Sequence, residues 1–251
     1  MKSYPTRKLA WSRKVVRSLL RRCGGVISRH TEFYLAAKPD FHTGYHRVRD
    51  FDGLYADWVR HNGRIDRGDL ARFYFFYLQV EALAERPVAG AFAEVGVFRG
   101  TTARLLRALA PERDLFLFDT FAGFAEEDVR QERTASKPGA GGWEVSLEPI
   151  KAYVGERNTR FIPGRFPDTA GAVPAETRFA LVHLDTDLYA PQFAGLQFFY
   201  PRMNRGGVLI VHDCNSAWVG SRQALDEFFS DKPEQPVFMP DKSGSAVIIK
   251  S

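Results

Sequence analysis

Two short apolar runs, each ending in a carboxylate, flank a helix-forming segment near the middle of the chain. The first run ends at Glu94 and leads into a turn from Gly96 to Gly100, and the second run ends at Asp119. Near-continuous apolar runs of this length are typical of parallel strands buried on both faces. The pattern therefore predicts a β-α-β unit.

The same alternation continues toward the C-terminus. A turn from Pro240 to Gly244 lies between two short β-type runs, which is typical of a hairpin. Together these patterns predict an α/β fold with a seven-stranded, mostly parallel sheet and a C-terminal antiparallel hairpin. The remaining strands are predicted at residues 159–162, 178–184, 208–211, 236–239 and 245–250, and the remaining helices at residues 146–155, 191–203 and 221–230.

Other segments surround this core pattern. A helix predicted to begin at Asp69 is apolar nearly all round, so we expect it to be buried or to form a subunit contact in a homo-oligomer. Residues 31–68 mix aromatic and charged side chains and predict a helical cap. Residues 121–142 form a long irregular segment, which is typical of a lid. We therefore divide the chain into a basic segment (1–30), the cap and a main domain (69–251).

The positive charge of the chain is concentrated at its N-terminus. Residues 1–30 contain nine of the 35 Lys and Arg residues and none of the 30 Asp and Glu residues. Apolar residues recur there at helical spacing, mostly away from the basic side chains, at Val16, Leu19, Leu20 and Cys23. This predicts an amphipathic helix, which could lie on an anionic membrane surface or belong to a solvated arm. A basic tail alone does not indicate a nucleic-acid partner.

The cysteine content and the hydropathy of the chain indicate in which cellular compartment the protein is expected. Cys23 and Cys214 are the only cysteines, and they lie far apart without metal-type spacing. This argues against a disulfide framework and favours a reducing compartment. No run approaches the roughly 18 apolar residues of a membrane-spanning helix, and no long apolar stretch follows the N-terminal charges as in a signal peptide. We expect a cytoplasmic protein, with the inner face of the membrane as the alternative.

The turn after the first predicted strand suits a nucleoside-type ligand. Gly96 and Gly100 let the chain fold sharply, and they let a ligand lie against bare backbone beside the unpaired N–H groups of the next helix. Asp119 ends the second strand, where a ribose diol would arrive. A dinucleotide turn would carry G-x-G-x-x-G, but Glu94 stands where its first glycine would be. A carboxylate repels phosphate and attracts an ammonium group, which favours the amino-acid end of S-adenosylmethionine.

Carboxylates also end the later strands. Asp185 and Asp213 follow the fourth and fifth strands, which we expect to be neighbours. Two carboxylates form a hard oxygen site suited to Mg²⁺, and such an ion could lower the pKa of a substrate hydroxyl. His212 could be a general base, a metal ligand or a structural hydrogen-bonding group. His183 lies within a strand, which is typical of a core histidine.

Six motifs, in this order, resemble the macrocin O-methyltransferase family of S-adenosylmethionine-dependent sugar methyltransferases. They span about Asp69 to Lys250 and are EVGVFRGTTA, LFDTFAGF, GRFPDT, VHLDTDLY, FFYPRMNRGGVLIVHD and GSRQALDEFF. The resemblance implies a Rossmann-like class I methyltransferase fold, S-adenosylmethionine as cofactor, Mg²⁺ bound by Asp185 and Asp213, and a sugar or glycoconjugate as acceptor. The predicted cofactor-binding residues, which include neighbours within the same motifs, are Glu94, Gly96, Gly100, Thr101, Asp119, Thr120, Gly164 and Arg165.

One position departs from the family pattern. The metal-dependent members carry Asp-Asp where this chain has His212 and Asp213, so one carboxylate ligand is replaced. Methyl transfer mainly requires that the nucleophile and the methyl group are held in line, so Asp185 or His212 could act as the base with or without a metal. The alternative hypotheses are a metal-independent methyltransferase acting on another hydroxyl, such as a phenol, a nicotinamide-dependent oxidoreductase, and a non-catalytic protein of the membrane surface.

Overall fold

The structure is a computed structural model that describes residues 51–62, 69–132 and 138–251, together with Val15, Leu19 and Cys23. The chain divides into two units, residues 1–46 and residues 47–251. In the first unit the three described residues are helical and their side chains are exposed. Val16 and Leu20 of the predicted apolar stripe lie outside the described residues. No described helix is both long enough and apolar enough to cross a membrane.

The second unit alternates strands and helices. Its helices are α1 (Phe51–Asn62), α2 (Leu70–Glu85), α3 (Thr101–Leu109), α4 (Glu126–Gln131), α5 (Leu147–Val154), α6 (Tyr189–Phe199) and α7 (Gly220–Phe229), with short 3₁₀ turns at Ala170–Ala172 and Tyr200–Arg202. Its strands are β1 (Ala91–Val95), β2 (Leu115–Asp119), β3 (Thr159–Pro163), β4 (Phe179–Leu184), β5 (Met203–Val211), β6 (Val237–Phe238) and β7 (Ala246–Ile249). Strand β5 begins earlier than predicted because Met203 already pairs with Phe179 of β4.

The strands form one seven-stranded sheet in the order β3-β2-β1-β4-β5-β7-β6. Strands β1 to β5 run parallel to one another, and β7 pairs antiparallel with both β5 and β6. The predicted parallel sheet with a terminal hairpin is confirmed. The strand order reverses between β1 and β4, and at such a switch point a crevice opens outside the carboxyl ends of the strands.

Each face of the sheet carries its own apolar cluster. Along β1, Ala93 and Val95 join the cluster that contains residues of α6 and α7, whereas Phe92 joins the cluster that contains residues of α2 and α3. This alternation follows from the two-residue period of a strand. It places Glu94, two residues beyond Phe92, on the face covered by α2.

The central strands β4 and β5 present a second set of side chains to α2. Leu181 and Ile210 belong to the cluster on the α2 face. Continuing by two residues, the period directs His183 and His212 to that same face. The polar ends of β4 and β5 are therefore within reach of side chains from α2.

Helix α1 packs against α2 through aromatic rings. The Tyr55 and Trp58 rings lie 5.6 Å and 5.7 Å from the Phe73 ring, and Phe51 meets Tyr77 edge to face at 4.9 Å. Edge-to-face pairs at these separations are favourable beyond the area they bury. The residues of α1 fall within the predicted cap, and the division of the cap from the main domain stays a prediction.

The segment predicted as a lid follows β2. It contains the short helix α4, and Phe124 and Gly141 form an isolated antiparallel bridge across it. Directly after α4, the Glu132 carboxylate accepts a hydrogen bond of 3.0 Å from the backbone N–H of Tyr189, at the start of α6. The segment is thus attached to the main body near the carboxyl end of β4.

Candidate active site

A cavity of about 400 Å³ opens at the carboxyl ends of the parallel strands. The predicted site residues that line it are Gly96, Asp119, Thr120, Gly164, Arg165, Asp185, His212 and Asp213. The other predicted cofactor residues, Glu94, Gly100 and Thr101, are described by the structure but lie outside this lining. Gly100 instead packs against α5, because a Cβ there would stand 2.9 Å from Val154 Cγ2.

Gly96 allows the ends of β1 and β4 to approach closely. Its φ of +90° is unfavourable for residues with a side chain, and an added Cβ would lie 1.8 Å from the carbonyl oxygen of Asp185. Only glycine satisfies both conditions. Gly96 therefore holds the predicted cofactor turn against the strand end that carries Asp185.

Asp119 organises the turn beside it. One carboxylate oxygen accepts the backbone N–H of Phe98 and the other accepts the backbone N–H of Phe121, both at 2.7 Å. Phe98 and Phe121 both have positive φ, a strained conformation for large side chains, and these two bonds help to hold it. Each oxygen of a carboxylate can accept more than one hydrogen bond, so Asp119 can still receive a ribose hydroxyl.

Glu94 is buried beside His183. Its side chain is 2% exposed, and its Oε1 lies 2.9 Å from His183 Nδ1. Burial raises the pKa of Glu94 well above its usual range, and burial lowers the pKa of His183 to about 3. A protonated Glu94 can therefore donate to a neutral His183 ring. This makes His183 a core histidine with a hydrogen-bonding partner, and a direct contact of Glu94 with the cofactor stays a prediction.

Asp185, His212 and Asp213 meet at the ends of β4 and β5. His212 Nδ1 lies 2.8 Å from Asp185 Oδ1 and 2.9 Å from Asp213 Oδ2. Burial lowers the pKa of His212, but the charges of Asp185 and Asp213 and the hydrogen bond to Asp185 together outweigh it, so the pKa lies well above the usual histidine range. Burial likewise raises the pKa of Asp185, but the charge of His212 and their hydrogen bond outweigh it, so this pKa lies well below its usual range.

Asp187 adds a third carboxylate to this end of the cavity. Asp187 and Asp213 both have positive φ, at 63° and 59°. Strained residues of this kind persist where the surrounding structure holds them, and they are common at functional sites. Burial, and then the nearby charge of Asp213, raise the pKa of Asp187 well above its usual range.

Arg72 is a charged site residue that the sequence did not reveal. It comes from α2, and its Nη1 lies 3.3 Å from Asp185 Oδ2 and 3.1 Å from His212 Nε2. The signal was the only basic residue of a largely apolar helix, because a buried charge is expensive unless it is paired. Sequence separation hid the partners, since Asp185 is 113 residues away.

The chain that builds this site resembles known proteins. A family model described as macrocin O-methyltransferase (TylF) matches residues 70–246. The chain belongs to the macrocin O-methyltransferase family. The match begins at the first residue of α2 and reaches the first residue of β7, so it includes Arg72 and every strand end that lines the cavity. The predicted family is confirmed.

This family member is similar to O-methyltransferases of two actinomycete species. It is 31% identical over 151 residues to 8-demethyl-8-(2,3-dimethoxy-alpha-L-rhamnosyl)-tetracenomycin-C 4'-O-methyltransferase of Streptomyces olivaceus, with 53% of this chain and 56% of that protein aligned. It is 28% identical over 166 residues to mycinamicin III 3''-O-methyltransferase of Micromonospora griseorubida, with 59% and 64% aligned. Each of these alignments spans less than two thirds of the relative's own length.

Solved structures share the fold of this family member. The O-methyltransferase NovP superposes with a TM-score of 0.62 at 23% identity, over 78% of this chain and 88% of NovP. The calicheamicin methyltransferase CalS11 superposes with a TM-score of 0.59 at 20% identity, over 85% of this chain and 99% of CalS11. The Rossmann-like class I methyltransferase fold implied by the resemblance is confirmed.

In this macrocin O-methyltransferase family member, Arg165 ties the lid to the end of β3. Its Nη2 lies 2.7 Å from Asp128 Oδ1 in α4, and its Nη1 lies 3.1 Å from Asp168 Oδ1. The hydrogen bond to Asp128 is the main reason that the pKa of Arg165 is raised. Because its guanidinium is held by these carboxylates, Arg165 fixes α4 beside the cavity, and the contact with adenine stays a prediction.

Proposed function

We propose that the protein is an S-adenosylmethionine-dependent O-methyltransferase that methylates a hydroxyl group of a sugar or glycoconjugate. The observation that carries the proposal is a single cavity whose two ends hold Asp119 and the cluster of Asp185, His212 and Asp213, in a chain of the macrocin O-methyltransferase family. The name of one relative, a rhamnosyl-tetracenomycin 4'-O-methyltransferase, contains a sugar and supports a sugar as the acceptor.

The cofactor end of the cavity is built from backbone and one carboxylate. Asp119 receives a ribose hydroxyl, and the Gly96 turn, packed against the end of β4, lines the cavity beside it. When bound, S-adenosylmethionine supplies an electrophilic methyl group on a positively charged sulfur. The protein holds an acceptor hydroxyl in line with that group, and its residues take up the proton that the hydroxyl loses.

We assign the proton to Asp185 within its ion pair with His212, whose charge and hydrogen bond are what hold the pKa of the carboxylate low. The Asp185 side chain is 21% exposed, against 7% for His212, so it is the more accessible of the two toward the cavity. Both ring nitrogens of His212 already have partners, since Nδ1 faces the two carboxylates and Nε2 lies 3.0 Å from the carbonyl oxygen of Lys242. His212 then holds Asp185 in place, and His212 as the base is the alternative that substitution at each position separates.

The residues also fit a divalent metal ion. Three ligand atoms lie close together: Asp185 Oδ1, His212 Nδ1 and Asp213 Oδ2. The distance from His212 Nδ1 is 2.8 Å to the Asp185 oxygen and 2.9 Å to the Asp213 oxygen. Neighbouring ligands of an octahedral ion bound at about 2.1 Å stand about 3.0 Å apart. A site with one imidazole and two carboxylates prefers Mn²⁺ to Mg²⁺ more strongly than a site with three carboxylates does. Asp185, His212 and Asp213 would hold the ion, which would polarise the acceptor hydroxyl.

Chelation should stop methyl transfer if this metal site is used. We expect EDTA to abolish turnover, and we expect Mn²⁺ to restore it at a lower concentration than Mg²⁺ because of the imidazole donor. Binding of Mn²⁺, followed by electron paramagnetic resonance, should weaken in Asp213→Asn and stay unchanged in Asp226→Asn, a carboxylate of α7 paired with Arg222 at the surface. Full turnover in EDTA would show that Asp185 and His212 work without a metal.

Removing the Asp119 carboxylate should weaken cofactor binding. In Asp119→Ala the ribose loses a charged acceptor, and the N–H groups of Phe98 and Phe121 lose theirs, so we expect the Kd for S-adenosylhomocysteine to rise at least about tenfold. Isothermal titration measures this directly. Asp226→Asn, which changes a surface carboxylate of α7, serves as the control, and an unchanged Kd in Asp119→Ala would contradict the assignment of the cofactor end.

The test of the function as a whole is transfer of a radiolabelled methyl group. We expect the protein to label one class within a panel of sugars, glycolipids and phenolic glycosides. Isothermal titration with S-adenosylhomocysteine runs beside it. Absence of cofactor binding would reject the proposal, and labelling of phenols without sugars would redirect it to another class of hydroxyl.

A further inference from the structure

Arg72 is buried, and the side of its guanidinium that faces away from the cavity cluster is paired with Asp69. Its side chain also lines the cavity. It comes from a helix, whereas the predicted site residues in the lining lie at or just after the ends of strands. Its Nε lies 3.0 Å from Asp69 Oδ2. Asp69 precedes α2, and its other oxygen accepts the backbone N–H of Lys242, in the β6–β7 turn, at 3.4 Å. The cation is thereby tied to both α2 and the C-terminal hairpin.

The Nη1 atom of the guanidinium faces the proposed reaction centre. It donates to Asp185 Oδ2 at 3.3 Å and lies 3.1 Å from His212 Nε2, which also faces the carbonyl oxygen of Lys242 at 3.0 Å. The other oxygen of Asp185 faces His212 Nδ1. Arg72, Asp185 and His212 therefore contact one another pairwise, and each restricts the orientation of the other two.

We propose that Arg72 is a positioning residue for methyl transfer: its guanidinium, anchored by Asp69, fixes the Asp185 carboxylate and the His212 ring in the orientation that receives the acceptor hydroxyl. The inference rests on the proposed function. It follows from the fold, because β4 and β5 direct their polar ends to the face that α2 covers. The planar, always charged fork of arginine suits this task, and lysine can reproduce the charge without the fork.

The activity test uses Arg72→Gln, Arg72→Lys and a control at a second buried arginine. Arg107 lies near the amino-terminal edge of the sheet, where its Nη1 donates to the carbonyl oxygens of Arg113 and Asn158 at 2.8 Å and 2.9 Å. We expect Arg72→Gln to lower kcat about 100-fold, as a misplaced reacting group does, with KM for the acceptor and Kd for S-adenosylhomocysteine unchanged. Arg72→Lys should recover part of the loss, and Arg107→Gln should keep the kcat of the parent protein.

A spectroscopic readout keeps this inference distinct from the proposed function. Histidine labelled with ¹⁵N reports the ring hydrogen bonds of His212, whose signal is assigned by its loss in His212→Gln. We expect Arg72→Gln to shift that signal and Arg107→Gln to leave it in place, whether or not an acceptor has been found. If Arg72→Gln does not fold, Arg72→Lys decides by the same two measurements. An unchanged His212 signal together with a parental kcat in a folded Arg72 variant would overturn the proposal, whereas a parent protein that transfers no methyl group would reject the function alone.

Discussion

Asp185→Asn should lower kcat for methyl transfer about 10³-fold, within the range in which a general base contributes. Asparagine keeps the size of the side chain and can still accept from His212 Nδ1, but it cannot take the proton of the acceptor hydroxyl. Cofactor binding should be retained because Asp119, at the other end of the cavity, is untouched. Radiolabelled methyl transfer measures kcat, and isothermal titration with S-adenosylhomocysteine checks that the pocket is intact.

The controls for this variant separate the base from its neighbours. Asp226→Asn removes an exposed carboxylate of α7 that pairs with Arg222, and it should leave kcat unchanged. His212→Gln should lower kcat less than Asp185→Asn does if Asp185 receives the proton. A larger loss in His212→Gln would assign the base to His212, and a parental kcat in Asp185→Asn would remove Asp185 from the chemistry.

Much of this architecture could be predicted from the chain because it depends on local patterns. The near-continuous apolar runs indicated buried parallel strands, and the topology of such a sheet brings the residues after each strand to one edge. Asp119, Asp185 and His212 line one cavity for that reason. Each was identified by its place after an apolar run, without knowledge of any contact.

The features that were missed depend on packing between distant segments. Arg72 reaches Asp185 only because α2 covers one face of the sheet, and no local pattern specifies which helix will do so. Glu94 was assigned to the cofactor because it is a carboxylate at a strand end that can attract an ammonium group; that assignment stays a prediction, and what was missed is its burial. Its two-residue spacing from Phe92, which packs beneath α2, is the signal that it points to the covered face. Alternation along β1 would have indicated the burial that the structure shows, and His183 would then have been its natural partner.

Gly96→Ala should destabilise the protein by about 2–6 kcal/mol, and it should abolish cofactor binding in whatever fraction remains folded. Two effects add. A side chain at a φ of +90° is strained by about 1–3 kcal/mol, and the new Cβ would collide with the Asp185 carbonyl oxygen, which stands 1.8 Å from its position. Overpacking of this kind costs about 1–3 kcal/mol further. The strand ends would have to separate, which displaces Asp185 from the cofactor turn.

Gly155→Ala is the matched control for this prediction. Gly155 has nearly the same φ, +94°, but an added Cβ there meets no atom within 4 Å. The difference in the free energy of unfolding between the two variants, measured by urea denaturation, therefore isolates the contact between the β1 turn and the end of β4. If the two variants lose the same stability and Gly96→Ala still binds S-adenosylhomocysteine, then backbone strain alone explains the glycine. In that case the close approach of the two strand ends does not set the geometry of the site.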